Sequence, residues 1–227
     1  MKVFTAIIKL LFPPKCIFCN EILDSNSSID ICSKCFSKIP FTDESTQKLK
    51  KASTYEDGCD YMVCVCRYSG IIKSSLIHFK FFNKSSYYRT FAALLADRLK
   101  KMTNIREFDI IMSVPLYRKR ECERGYNQSL LLSRELSRLT GVPDKSGFLE
   151  RVRHTKSQSL LGRGERYHNV KNAFRVRNTA GVDGKTILLV DDITTTGHTL
   201  DECGRILKQA GAKIVAGAVI ASGRVHR

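Results

Sequence analysis

Apolar and polar positions fall along this chain in blocks whose spacing separates strands from helices. The sharpest block is Ile187-Leu188-Leu189-Val190, an unbroken apolar run that stops at two adjacent carboxylates, Asp191 and Asp192. A polar turn follows, Thr195-Thr196-Gly197-His198-Thr199, and then a helical pattern from Leu200 to Gln209. A short apolar run bounded by turn residues predicts a buried strand, and strand, loop and helix in that order belong to a parallel sheet. Upstream, Cys59 to Tyr68 alternates as a strand and is ended by Ser69-Gly70. Helical spacing covers Ile71 to Phe82 and, more strongly, Tyr87 to Met102, where Phe91, Leu94, Leu95 and Leu99 share a face. Asp109 to Val114 reads as a short strand closed by Pro115, and Gln128 to Leu139 as a helix with Leu130, Leu131, Leu132, Leu136 and Leu139 inward. Two short extended pieces, Phe148 to Val152 and Phe174 to Val176, flank a long basic loop from His154 to Asn172, and Ile214 to Ile220 is a final strand. Alternating strands and helices predict an α/β fold with a doubly wound parallel sheet.

The first sixty residues have a different texture. An apolar run from Val3 to Phe12 is too short to span a bilayer. It lacks a small-residue cleavage site, so it reads as a retained segment. Val3, Phe4, Ile7, Ile8 and Leu11 share one helical face, which packs on its own domain or lies on a membrane or partner. Then come Cys16-x2-Cys19 and, twelve residues later, Cys32-x2-Cys35. Two thiolate pairs at this spacing complete a tetrahedral, structural Zn²⁺ site, whose binding energy would fold a unit too small to have a core. Residues 42–58 are polar and read as a linker, which gives an N-terminal zinc unit (1–41) and an α/β domain (59–227).

Nine cysteines, an odd number with four in knuckles, argue for metal and a reducing compartment over a disulfide framework. Cys64 and Cys66, two apart, share a sheet face and read as reduced residues, while Cys59, Cys122 and Cys203 have no assigned role. The net charge of +16 is uneven, with 15 basic against 6 acidic residues between 113 and 177. Such a segment favours a polyanion: a pyrophosphate, a nucleic acid or an anionic membrane surface.

Two carboxylates beside an anion-binding turn suit a ligand that carries both hydroxyls and a phosphate, because ionised acids only accept hydrogen bonds. The stretch from Ile187 to Thr199 resembles the phosphoribosyl-pyrophosphate (PRPP) loop of type I phosphoribosyltransferases. That resemblance gives Asp191 and Asp192 the ribose hydroxyls, and gives Thr195, Thr196, Gly197, His198 and Thr199 the 5′-phosphate.

Three further stretches resemble the ComF family. They are Val114-Pro115-Leu with Arg118-x-Arg120 and Arg124-Gly125-Tyr126-Asn127-Gln128; Arg153-x-Thr155 with Gln158, Leu161, Arg166, Asn169 and Ala173-Phe174; and Tyr68-x-Gly70 with Lys80-Phe81. The family's usual second Cys-x2-Cys is missing, so one metal site is expected. The resemblance implies a type I phosphoribosyltransferase-like fold with an N-terminal zinc unit, PRPP bound with Mg²⁺, and a cytoplasmic protein, with the inner face of the membrane as a further possibility. It also implies work in natural transformation on incoming single-stranded DNA, beside the competence helicase and the recombination mediator. Val114, Pro115, Arg118, Arg120, Arg124 and Lys80 are the expected pyrophosphate contacts. Arg153, Lys156, Arg163 and Arg166, on the loop where the family has a mobile lid, would meet pyrophosphate or a nucleic-acid backbone. Tyr87, Tyr88, Tyr117 and Tyr126 stand among basic residues as candidates for base stacking. The competing reading is a phosphoribosyltransferase of nucleobase or nucleotide salvage, and a third is a scaffold whose zinc unit docks partners.

Overall fold

The computed structural model describes residues 13–24, 27, 29–42, 49–50, 58–155 and 168–223. Five strands form one sheet: β1 (Leu49–Lys50), β2 (Tyr61–Arg67), β3 (Ile110–Ser113), β6 (Thr186–Thr194) and β7 (Ile214–Ser222). Their order is β1-β2-β7-β6-β3. Pairing is parallel throughout except at the edge, where β1 runs antiparallel to β2. The chain crosses from β2 to β3 and returns to fill the middle with β6 and β7, so the carboxyl ends of β2, β3 and β6 open on one edge. That is where ligands enter open α/β sheets.

Alternation along the strands divides the core in two. Val63, Val65, Leu188, Val190, Ala216 and Ala218 face one layer, built from α2 (Gly70–Phe81), α3 (Tyr87–Met102) and α5 (Gln128–Thr140). Met62, Ile187, Leu189, Val215 and Val219 face the other, covered by α6 (His198–Gln209) and by an antiparallel pair, β4 (Leu149–Arg151) and β5 (Phe174–Val176). Helices on both faces make the sheet doubly wound, as the sequence periods predict. The amphipathic stripes are where expected: Phe91, Leu95 and Leu99 on α3 and Leu132 and Leu136 on α5 are fully buried. Leu130, Leu131 and Leu139, expected inward, are only half-buried because they flank that stripe.

Several boundaries differ from the sequence reading. β6 does not stop at the acids but runs through Asp191 and Asp192 to Thr194, because β7 extends to Ser222 and supplies ladder partners (Asp191 with Val219, Thr194 with Ser222). α4 (Arg118–Arg124) has no counterpart in the sequence reading, because its sequence has no apolar period; it is stopped by Gly125, whose φ of 82° serves as a left-handed cap. The zinc unit shares its core with the sheet: Cys16, Ile17, Ile31, Cys32, Cys35 and Ile39 belong to the same cluster as Phe79 and Phe91. Thr42, at the start of the segment read as a linker, is buried. Its hydroxyl donates to the Cys64 carbonyl at 2.7 Å and accepts from the Arg98 guanidinium at 2.8 Å, and β1 falls inside the same segment.

Gly204 sets the closest approach of α6 to the sheet. A Cβ there would lie 2.8 Å from the Cys59 nitrogen and 2.9 Å from the Gly58 carbonyl carbon. Overpacking of this kind costs about 1–3 kcal/mol, more than the few tenths that valine gains over glycine in a helix. Gly204→Val is therefore expected to lower the urea midpoint, and an unchanged midpoint would mean that α6 shifts freely.

Candidate functional site

Each cysteine knuckle is a tight turn that aims two sulfurs inward. In the first, Asn20 adopts φ of 62° and returns its N–H to the Cys16 carbonyl at 2.9 Å. In the second, Cys32 precedes the single-turn helix α1 (Ser33–Phe36), which carries Cys35. The four sulfurs lie within 4.8 Å of one another, with Cys19 and Cys32 3.7 Å apart. A tetrahedron with Zn–S bonds near 2.3 Å has edges of about 3.8 Å, so the donor set fits Zn²⁺. Thiols this crowded titrate unevenly. Burial opposes ionisation of Cys16, but backbone amides of Cys32, Cys19 and Phe18 outweigh it and bring that thiol to about 7. Burial and the neighbouring sulfurs push Cys35 well above the thiol range. A dication supplies the missing counter-charge.

Among the described residues this is the only such cluster. Cys59, Cys64, Cys66 and Cys203 are buried, and desolvation raises all four thiols, Cys64 to about 12. They are inert core residues.

At the carboxyl edge of the sheet lies a cleft of about 360 Å³. Asp191, Asp192, the loop Thr195 to Thr199, Arg120, Arg124, Lys80 and Val114 all line it. Gly197 holds φ of 79° at the N-cap of α6, a conformation that favours glycine and turns the helix's first amides to the cleft. Asp192 is buried; its Oδ1 accepts from the Ile193 N–H at 2.8 Å, and Lys80 Nζ stands 3.4 Å from Oδ1 and 3.3 Å from Oδ2. Asp191 Oδ1 accepts from the Ser129 hydroxyl at 2.7 Å and from the Asp192 N–H at 2.9 Å. Desolvation and the Asp192 charge raise the Asp191 carboxyl to about 7, against the pull of Lys80 and Ser129. Burial beside a like charge thus makes the Asp191 carboxyl costly to ionise, a property common among groups at functional sites.

The arginines are placed by helix geometry. Arg120 and Arg124 are four apart on α4 and share its cleft face, whereas Arg118, two before Arg120, points away and is exposed. Arg120 donates to the Thr155 carbonyl at 2.7 Å, and Arg124 donates to Gln128 Oε1 at 2.8 Å and lies 5.2 Å over the Phe81 ring. Pro115 shapes the turn beyond β3 without lining the cleft. Arg153 stands outside it at the base of the loop, where its guanidinium donates to the Asn169 and Lys171 carbonyls at 3.2 and 2.6 Å. Lys156, Arg163 and Arg166 lie outside the described residues. Tyr87 is buried edge-on against Phe91 at 6.4 Å, so it cannot stack on a base; core packing has taken that ring.

Among the cleft residues that escape the sequence reading are Ser129, Arg151 and Tyr68. Ser129 follows the Asn127-Gln128 pair, and Asn127 caps α5 while donating to the Val114 carbonyl at 3.2 Å, which fixes Ser129 beside Asp191. Arg151 lies on the same strand face as buried Leu149, so alternation along β4 would have found it. Tyr68, in the sequence only one position of a motif, lines the cleft just beyond β2.

The family model for the phosphoribosyl transferase domain matches residues 127–227, and that for the double zinc ribbon domain matches residues 7–60. Competence protein F of Haemophilus influenzae is 32% identical over 212 residues, covering 88% of this chain and 93% of that protein. The DNA utilization protein YhgH of Escherichia coli K12 is 37% identical over 63% of each chain. Competence protein ComFC of Bacillus subtilis is 31% identical over 65% of this chain and 58% of its own. Among the described residues no helix is long and apolar enough to cross a membrane. With the cysteine cluster and the acid-and-loop cleft in place on a phosphoribosyltransferase sheet, this chain belongs to the ComF family of competence proteins.

Proposed function

We propose that this protein binds PRPP in the cleft at the carboxyl edge of β6 and acts in DNA uptake, where it handles incoming single-stranded DNA. One observation carries the PRPP reading: the acid pair, the amide-rich loop and two arginines line one space of about 360 Å³, the lower part of the usual range for small-ligand pockets. Asp191 and Asp192 would accept from the ribose hydroxyls, the loop from Thr195 to Thr199 would donate to the 5′-phosphate, and Arg120 and Arg124 would meet the pyrophosphate. Mg²⁺ bound with PRPP would neutralise pyrophosphate charge, and the two carboxylates are the hard oxygen donors within reach. The role in DNA uptake is supported by the competence and DNA-utilization names of the relatives and by the basic middle of the chain. Partners of that role are the competence helicase and the recombination mediator.

Calorimetric titration with PRPP and Mg²⁺ tests the cleft. Binding is expected to strengthen as pH rises through 7, because the Asp191 carboxyl ionises there and a carboxylate accepts from hydroxyls more strongly than the neutral acid. Affinity that is flat from pH 6 to 8 would count against this use of Asp191. A salvage transferase would instead release pyrophosphate only when an acceptor base is added, and that assay separates the two readings.

A further inference from the structure

A second cavity of about 680 Å³ opens beside the cleft, and Lys80, Phe81, Arg120 and Arg124 line both. Its chemistry is unlike that of a solvated surface. α2 buries Ile72, Leu76 and Phe79 on its inner stripe, yet ends in Phe81, which is 61% exposed and lines this cavity. One face of Phe81 is covered by the Arg124 guanidinium 5.2 Å away. Tyr126, held by its hydroxyl donating to the Phe79 carbonyl at 2.5 Å, closes the far wall, and Glu123 is the one acid there. Flat apolar rings beside fixed cations suit a ligand that alternates a planar base with a phosphate. A neutral protein partner that buried Phe81 would also desolvate Arg120 and Arg124 without supplying a counter-charge, since Asp192 already engages Lys80, which is costly. A phosphodiester pairs them.

We infer that this groove takes an unpaired nucleotide of single-stranded nucleic acid, with Phe81 as the stacking platform, and that PRPP in the neighbouring cleft competes with it for Arg120 and Arg124. The inference rests on the PRPP and single-stranded DNA readings and adds where the strand sits and how the two ligands are coupled. Each arginine has a single guanidinium to share between the two cavities. A pyrophosphate that draws the Arg124 guanidinium into the cleft removes it from the Phe81 face and from any phosphate in the groove. The two ligands therefore oppose each other, by the same factor in both directions.

The test uses the full, zinc-loaded chain and a short fluorescein-labelled oligodeoxythymidine followed by anisotropy. Phe81→Ala, at an exposed position, is expected to weaken binding roughly tenfold, within the range for loss of one stacked base. Phe81→Trp retains binding, Glu123→Gln tightens it, and PRPP with Mg²⁺ displaces the oligonucleotide from the wild type. Equal binding by Phe81→Ala overturns the groove while leaving single-strand binding elsewhere on the chain. Oligonucleotide bound undisturbed at PRPP concentrations that calorimetry shows to saturate the cleft overturns the competition. If poly-glutamate competes equally well against wild type and Phe81→Ala, the surface recognises charge alone, as an acidic protein segment would require, and the inference fails. Absence of any oligonucleotide binding removes the nucleic-acid reading together with the inference, whereas the calorimetric test of the acid pair stands apart from both.

Discussion

Chelating the zinc, or replacing Cys32 with alanine, is expected to unfold the sheet domain together with the N-terminal unit in one transition. In a free-standing finger only the finger would melt. Here three of the four ligands, Cys16, Cys32 and Cys35, are buried in the cluster that contains Phe79, Phe91 and Leu95. Releasing the metal exposes Ile17, Ile31 and Ile39, and so uncovers one face of α2 and α3. Structural zinc contributes about 10–16 kcal/mol in isolated finger peptides, which equals or exceeds the whole stability of an ordinary domain, about 5–15 kcal/mol. Thermal melts followed at once by far-ultraviolet circular dichroism and by exchange of β6 and β7 amides would show the coupling. Two separate transitions, with the sheet melting at its untreated temperature, would refute it.

Replacing Asp191 and Asp192 together by asparagine is expected to weaken PRPP binding at least tenfold, or roughly 1.4 kcal/mol and more, with the fold intact. The single change Asp191→Asn should also make the protein more stable. The Asp191 carboxyl stands at about 7 in the folded chain against an ordinary 3.8. Across that window the native state holds a proton that the unfolded chain releases, so wild-type stability falls as pH rises from about 4 to 7. Asparagine has no such proton to lose. The difference in Tm between variant and wild type should therefore be small near pH 4, grow toward pH 7 and then level off. Stability gained where binding is lost is the common trade at a functional site. Unchanged PRPP affinity in the double variant would defeat the site assignment, and an Asp191→Asn variant less stable at pH 8 would show that the Ser129 hydrogen bond and the Lys80 charge outweigh the burial of charge.

Where the sequence was legible, one local rule governed the outcome. The stripe at Phe91, Leu95 and Leu99 had only one way to face the core, and Tyr87–Met102 came out at both ends as read. The cleft residues from Asp191 to Thr199 were likewise legible, because a strand end, an acid pair and a helix start occur in one continuous stretch. What escaped depended on distant partners. The extension of β6 past its acids needed the length of β7, and the pairing of β1 with Met62 and Tyr61 needed β2. α4 has charge at nearly every position and no apolar period to betray it. Arg118 was grouped with Arg120 and Arg124 by proximity along the chain, although helical rotation sends it the other way. The sequence marks Arg153 as a cation for a polyanion but cannot show that backbone carbonyls across the loop also engage it.

The clasp of Arg98 on Thr42 has an evolutionary corollary. A zinc module that stood alone could be traded between relatives like a cassette. In this family member a transplanted N-terminus would arrive at a helix whose guanidinium expects a particular hydroxyl and carbonyl, and at an apolar bed cut to another shape. Chimaeras joined at residue 42 should therefore precipitate unless α3 travels with the donor segment, and drift on the two sides of that seam must proceed in step.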